Sequence, residues 1–206
     1  MQYKFYYNLK NELQIANEIL FKLDWYAENG YKPAVPIRTN KKSSELEVKN
    51  AVKKDFILNE QKFTEVQKQL RKLIEKNRNE LDIFFSTFDY KIPKKIKIYM
   101  TNYGPGGSYY LPDEIILLMR GSAHDMFRTI IHEIVHLIVE KPFVQKNKLT
   151  HWQKELLIDI ICNSSLIKKV YGKNTIQKND ERLSENIIEK LKFKNKDSLD
   201  YKKFII

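Results

Sequence analysis

Two histidines and a glutamate stand close together near the middle of the chain, in the run His132-Glu133-Ile134-Val135-His136. Residues four apart on a helix lie one above the other, so the imidazoles of His132 and His136 can bind the same metal ion. Glu133 borders that face and can reach a water molecule beside the ion as a general base. The spacing therefore predicts a zinc site that carries its own base.

The helix that holds this run is predicted to be largely buried. Ser122 and Asp125 have the form of a capping box, and Pro142 is expected to end the helix. Most positions between them are apolar, and a buried polar cluster is unfavourable unless it has partners, which a metal ion would supply. The alternative interpretation is an amphipathic core helix that contains two polar residues.

A second apolar helix follows. Thr150 opens it with another capping box, and it is predicted to run to about residue 170. His151, Glu155 and Asp159 fall at successive i, i+4 positions and form one polar stripe. A zinc ion held by two histidines needs a third protein ligand, which Glu155 could supply. Asp159, one turn further, is placed to accept the outer N–H of a ligating histidine.

The spacing of these polar residues resembles that of the gluzincin metallopeptidases, the thermolysin-like group, in which E-x-x-x-D follows H-E-x-x-H after about twenty residues. The resemblance implies that His132, His136 and Glu155 bind zinc. It also implies that Glu133 is catalytic and that Asp159 supports a ligand.

The resemblance extends over roughly residues 95–170. Lys154 stands where the family often has asparagine before its third ligand, and the whole chain of 206 residues is much shorter than thermolysin-like enzymes. The chain therefore looks like a minimal gluzincin, a hydrolase that cleaves peptide bonds in a peptide or protein substrate.

A glycine-rich segment separates two predicted strands, residues 95–100 and 114–119, which are rich in strand-forming residues. The segment could be an ordinary long turn. By resemblance to gluzincins, however, the sheet carries an edge strand just before the zinc helix, which binds the substrate backbone as an added strand. The residues then expected to border the cleft and bind substrate are Gly106, Gly107, Ser108, Tyr109 and Tyr110.

The group that stabilises the oxyanion of the reaction is open to several assignments. His151 is the first choice, because it lies one turn before Glu155 on the same stripe. It could instead be the third zinc ligand, or an exposed residue at the helix start. Tyr109, Tyr110 and Tyr171 are the alternatives, and Tyr171 could reach the site only if the second helix bends.

The fold class predicted from these elements is α+β. It comprises a helical N-terminal region (residues 1–90), a zincin-like catalytic core with a small sheet and the two zinc helices (91–172), and a helical C-terminal tail (173–206). The three regions are expected to form one compact unit. Within the first region, residues 6–28 and 59–88 show helical periodicity. In the tail, two short helical pieces are expected after a polar connection from Gly172 to Asp180.

Composition restricts the remaining possibilities. A single cysteine, Cys162, excludes an internal disulfide framework, and no stretch reads as a signal peptide or a membrane span, so a cytoplasmic protein without a membrane partner is expected. Secretion by a non-classical route stays open. The net charge of +11 allows nucleic-acid binding but does not favour it, because the lysines are spread along the chain. The alternative function is a non-catalytic, basic helical binding protein that retains a zincin-like fold.

Overall fold

The computed structural model describes residues 1–172 and 181–204 and has an α+β architecture, with one four-stranded mixed sheet and helices on both of its faces. The strands are β1 (Gln2–Tyr6), β2 (Lys95–Thr101), β3 (Gly107–Tyr110) and β4 (Glu114–Leu118). The α-helices are α1 (Leu9–Phe21), α2 (Leu23–Glu28), α3 (Glu45–Lys76), α4 (Arg78–Ser86), α5 (Ala123–Val139), α6 (His151–Ile161), α7 (Ser165–Tyr171) and α8 (Glu185–Lys190).

The sheet has the strand order β1-β2-β4-β3. The first three strands in this order run parallel, with Gln2 opposite Lys95 and Ile98 opposite Ile115. The strand β3 runs antiparallel to β4 and forms one edge of the sheet, while β1 forms the other. The short chain between β3 and β4 makes an antiparallel pair. The chain from β1 to its parallel neighbour β2 carries α1 to α4, whereas the chain from β2 to its parallel neighbour β4 passes through β3.

Side chains on the two faces of the sheet enter two separate apolar clusters, because successive residues of a strand point to opposite faces. Ile96, Ile98 and Met100 join the larger cluster, which also holds α5, α6 and the second half of α3. Tyr99 and Ile116 face the smaller cluster beneath α1. The sheet therefore lies between α5 and α6 on one face and the first helices on the other.

Three elements differ most from those predicted. β1 was not expected, because its residues Gln2–Tyr6 lie next to a helical pattern; parallel pairing with β2 holds them extended. The helix α3 begins at Glu45, well before residue 59, where Ser44 and Glu47 form a capping box. The second predicted helix is broken after Ile161, and a new helix starts at Ser165.

The other predicted elements are found with smaller changes. α5 ends at Val139, three residues before Pro142, and the chain continues as a π-helical turn, Glu140–Gln145. The glycine-rich segment is partly a strand, β3, rather than a turn throughout. One short helix, α8, and two 3-10 turns form the described tail, and the predicted polar connection falls mainly on residues 173–180, outside the described residues. No helix among the described residues is long and apolar enough to cross a membrane.

Candidate metal centre

Two capped helices present the candidate ligands to each other. The side chain of Ser122 accepts a hydrogen bond from the Asp125 amide at the start of α5, and Thr150 does the same for Gln153 at the start of α6, so both predicted capping boxes are confirmed. These caps fix where each helix begins and hence which side chains face the partner helix. The polar stripes of α5 and α6 meet at the edge of the sheet that β3 forms.

The three side chains predicted as ligands meet in a small triangle. His132 Nε2 lies 3.0 Å from His136 Nε2 and 3.3 Å from Glu155 Oε2, and the distance from His136 Nε2 to Glu155 Oε2 is 3.4 Å. Ligands bound to zinc at 2.0–2.1 Å in a tetrahedral arrangement are about 3.3 Å apart. The triangle therefore has the dimensions of one face of a zinc coordination tetrahedron.

The chemistry of the donors also suits a metal ion. Two imidazole nitrogens and one carboxylate oxygen form a group that could hold a metal, all within 4.8 Å of one another. His136 and Glu155 are buried, and their side chains are 2% and 8% exposed. Burial lowers the pKa of His136 to about 4, which keeps its ring neutral as a metal ligand must be.

The three side chains of the triangle affect one another's pKa values. Burial opposes the charged form of Glu155, but hydrogen bonds from His132 and His136 outweigh that effect and lower the pKa of the carboxyl group. The pKa of His132 rises, although burial acts against it, because its ring lies beside Cys162 and Glu155. A carboxylate and two imidazoles thus already form one interacting unit.

The outer nitrogens of the two histidines have different surroundings. His132 Nδ1 lies 3.6 Å from Asp159 Oδ1, slightly beyond hydrogen-bond length but close enough for a charge interaction. This is the contact that the stripe on α6 predicts. His136 Nδ1 is buried and has no hydrogen-bond partner among the residues that the structure describes. Asp159 therefore lies against the outer nitrogen of His132.

Glu133 lies beside the triangle without belonging to it. Its side chain is buried, and burial raises the pKa of its carboxyl group to about 7. A carboxyl group with that pKa can accept a proton and release it again near neutrality. Against it lies Gly107 of β3, where an added Cβ would be 2.4 Å from Glu133 Oε1 and 2.6 Å from Thr129 Cγ2. β3 thus approaches Glu133 so closely that any side chain at position 107 would have to displace Glu133 or Thr129.

Tyr109 lies two residues after Gly107 on β3, on the same face of the sheet, and its side chain lies over the triangle. Its ring stacks on that of His136, with centroids 4.6 Å apart and planes inclined by 9°. Its hydroxyl donates to Glu140 Oε2 at 2.7 Å and accepts from Lys154 Nζ at 3.1 Å. Lys154 also lies 3.7 Å from Glu155 Oε1, the carboxylate oxygen that is not part of the triangle. Lys154 therefore contacts both Tyr109 of β3 and Glu155 of α6.

His151 does not belong to the triangle. Its Nδ1 is 4.0 Å from Glu155 Oε1, and its Nε2 is hydrogen-bonded to the hydroxyl of Tyr31 at 3.0 Å. Tyr31 comes from the chain after α2, and its ring stacks on Trp152 on one side and on Trp25 on the other. Burial raises the pKa of Tyr31, and the charges of Glu155 and Glu133 raise it further, so its hydroxyl stays protonated.

The hydroxyls of the other two tyrosines predicted near the site already donate hydrogen bonds elsewhere. Tyr110 lines the cleft but donates to Glu18 of α1. Tyr171 donates to the carbonyl of Cys162 in the core. The break between α6 and α7 does turn the chain, yet it directs Tyr171 into the apolar cluster.

These side chains surround a cleft of about 920 Å³. Most of the residues predicted from the sequence as site residues line it: Gly107, Ser108, Tyr109, Tyr110, His132, Glu133, His136, His151, Glu155 and Asp159. Gly106 lies in a small adjoining cavity instead. The cleft wall opposite α5 and α6, which the sequence does not predict, is formed by Lys22, Trp25, Tyr26 and Tyr31. Only the density of aromatic residues between positions 25 and 31 could have drawn attention to this wall.

Comparison of the chain with protein-family models, curated proteins and solved structures finds no match.

Proposed function

We propose that the protein is a zinc-dependent metallopeptidase of the gluzincin type, built on a zincin-like core. The observation that carries the proposal is the triangle formed by His132, His136 and Glu155, with edges of 3.0, 3.3 and 3.4 Å. Glu133 stands directly beside it with a carboxyl pKa of about 7. A ligand set of this kind, an adjacent base and an open cleft are what metal-assisted hydrolysis requires.

The ligands named above would hold zinc, which supplies Lewis-acid polarisation of water and of the substrate carbonyl. Glu133 takes the proton from water as the oxygen attacks the peptide carbonyl. It then delivers the proton to the amine as the carbon–nitrogen bond breaks. The raised pKa of Glu133 suits both steps, because a strongly acidic carboxyl group would accept the proton poorly.

The edge strand is suited to hold the substrate backbone. The amide of Leu118 donates to the carbonyl of Gly106, which makes that pair hydrogen-bonded in the antiparallel ladder. Alternation then directs the backbone groups of Gly107 and Tyr109 away from β4, toward the open edge. An extended peptide can pair with them as an added strand and pass over Glu133.

Tyr31 is the best-placed donor to the oxyanion of the tetrahedral intermediate. The hydroxyls of Tyr109 and Tyr110 donate to Glu140 and Glu18, whereas the partner of Tyr31 is a histidine nitrogen, which can donate or accept. If His151 Nε2 carries the proton, the hydroxyl of Tyr31 can point into the cleft. His151 is then a positioning residue, and Tyr31 supplies the hydrogen bond.

The proposal is tested on purified protein by metal analysis and by hydrolysis of a mixture of quenched fluorescent peptides. We expect about one zinc per wild-type chain, its loss in Glu155→Ala, and hydrolysis that follows zinc content. Glu133→Gln should keep zinc and lose hydrolysis. Glu140 is a carboxylate near the cleft but outside the triangle, so Glu140→Gln is the matched control for metal binding.

Two results would contradict the proposal. Equal zinc in wild type and Glu155→Ala would mean that the triangle is not the metal site. Full hydrolysis by Glu133→Gln would mean that another group is the base. If zinc binds but no peptide in the mixture is cleaved, the binding-protein alternative replaces the peptidase.

A further inference from the structure

The sheet has a second open edge, on the side opposite the cleft. Among the residues that the structure describes, β1 pairs only with β2, so its other side has no strand beside it. The amide of Gln2 donates to the carbonyl of Lys94, which directs Gln2 toward β2. Alternation along the strand then directs the N–H and C=O groups of Tyr3 and Phe5 outward. Four backbone groups are thus available to a further strand.

A groove of about 590 Å³ follows this edge. One wall is β1 itself, and the other is the end of α3, with the buried Ile74 at its base. The guanidinium group of Arg71 lies 5.2 Å from the ring centroid of Phe5, so the helix reaches over the strand. An extended chain placed in this groove would meet β1 on one side and the side chains of α3 on the other.

The groove is strongly basic. Its charged lining residues are Lys4, Arg71, Lys72, Arg78 and Glu75. The one carboxylate is already paired with the guanidinium group of Arg78. All five residues are exposed, so the excess positive charge is accessible to a ligand. The backbone edge selects an extended polypeptide, and the charge selects acidic side chains on it.

We infer that the outer edge of β1 binds an extended acidic segment of a partner protein, which adds to the sheet as a further strand. Side chains of that segment on one face would meet Arg71 and Lys72, and those on the other face would meet Lys4. A second copy of this chain fits poorly, because two such edges would bring like charges together. This inference is independent of the proposed peptidase activity.

The test uses the full chain and a fluorescein-labelled peptide of alternating glutamate and valine. We expect salt-sensitive binding in fluorescence anisotropy, with NMR shifts concentrated at the amides of Tyr3 and Phe5. Arg71→Glu combined with Lys72→Glu should weaken binding at least ~10-fold. The matched control, Lys49→Glu combined with Lys53→Glu, changes the same charge at exposed positions of α3 outside the groove and should leave binding unchanged.

Several results would overturn the inference. Equal binding of an alternating glutamate and proline peptide would mean that charge alone, without strand pairing, explains the affinity. Tighter binding of a single-stranded oligothymidylate that competes at the same amides would make the groove a nucleic-acid site. Dimers that form through Tyr3 and Phe5 without peptide would make it a contact between copies. Absence of peptide binding to folded wild-type protein would reject it outright.

Discussion

The Cα of Gly107 and the carboxylate of Glu133 approach so closely that a methyl group on Gly107 would lie 2.4 Å from Oε1. β3 and α5 are therefore in direct contact at Glu133. A peptide that paired with β3 as an added strand would pass close to this carboxylate. This contact links the element that would bind the peptide to the group that would move the proton.

Gly107→Ala should therefore damage catalysis while leaving the metal in place. The added methyl group must displace Glu133 or Thr129, and a misplacement of about 1 Å can cost ~100-fold in rate. The measurement is kcat together with zinc content. Ser108→Ala, one residue along β3, is the control and should change kcat little. Unchanged kcat in Gly107→Ala would mean that Glu133 does not need its present position.

Tyr31→Phe should lower kcat by about 100-fold, with little change in KM or zinc content, because the lost hydroxyl acts only on the developing oxyanion. Tyr110→Phe is the comparison, since its hydroxyl is already bound to Glu18. Equal loss in both variants would argue that the aromatic wall acts through packing. An unchanged kcat in Tyr31→Phe would mean that His151, rather than Tyr31, donates the hydrogen bond to the oxyanion.

Removal of the metal should destabilise the fold. A ligand that binds only the native state adds about 3 kcal/mol at a concentration 100-fold above its Kd, and a chelator withdraws that contribution. The melting temperature of wild-type protein should fall with the chelator. The Glu155→Ala variant should melt at the same temperature with and without it. A chelator effect of equal size in both proteins would place the stabilising metal elsewhere.

Glu12 gives a prediction on pH and stability away from the cleft. Glu12 belongs to α1, and its side chain is fully buried and accepts hydrogen bonds from Asn102 at Oε2. Burial raises the pKa of its carboxyl group above the usual 4.5. A carboxyl group whose pKa is raised on folding binds its proton more tightly in the native state. Stability from this group is therefore present below pH 4.5 and is lost as pH rises through the folded pKa.

Glu12→Gln should accordingly be more stable than wild type at pH 8, by roughly 1 kcal/mol, and the difference should disappear near pH 4. Urea unfolding at the two pH values measures it. Glu60→Gln, an exposed position on α3, should show no such dependence. A Glu12→Gln variant that is less stable at both pH values would mean that the carboxylate is stabilised by its partners.

Local spacing was enough to predict much of the candidate centre. His132 and His136 are one helical turn apart, and Glu155 and Asp159 repeat that spacing on the next helix, so each stripe follows from helix geometry alone. The capping boxes at Ser122 and Thr150 marked where those helices begin. The α+β class followed from the same local patterns.

Contacts between residues far apart in the chain could not be predicted from the sequence. Tyr31 meets His151 across 120 positions of the chain, and no local pattern specifies such a contact. β1 was missed because its five residues gain their extended conformation from β2 rather than from their own propensity. The approach of Gly107 to Glu133 likewise depends on how β3 lies against α5, which glycine content suggests but does not determine.

The parallel pairing of β1 with β2 has a consequence for how the protein is made. Gln2 leaves the ribosome before its partner Lys95, which is synthesised roughly 90 residues later, and α5 and α6 follow after that. During this interval the apolar side of β1 has no sheet to join. Closing so long a loop is slow compared with helix formation, so assembly of the metal centre should wait on this one distant pairing. Protection of the Lys4 amide from hydrogen exchange would then appear together with zinc binding during refolding.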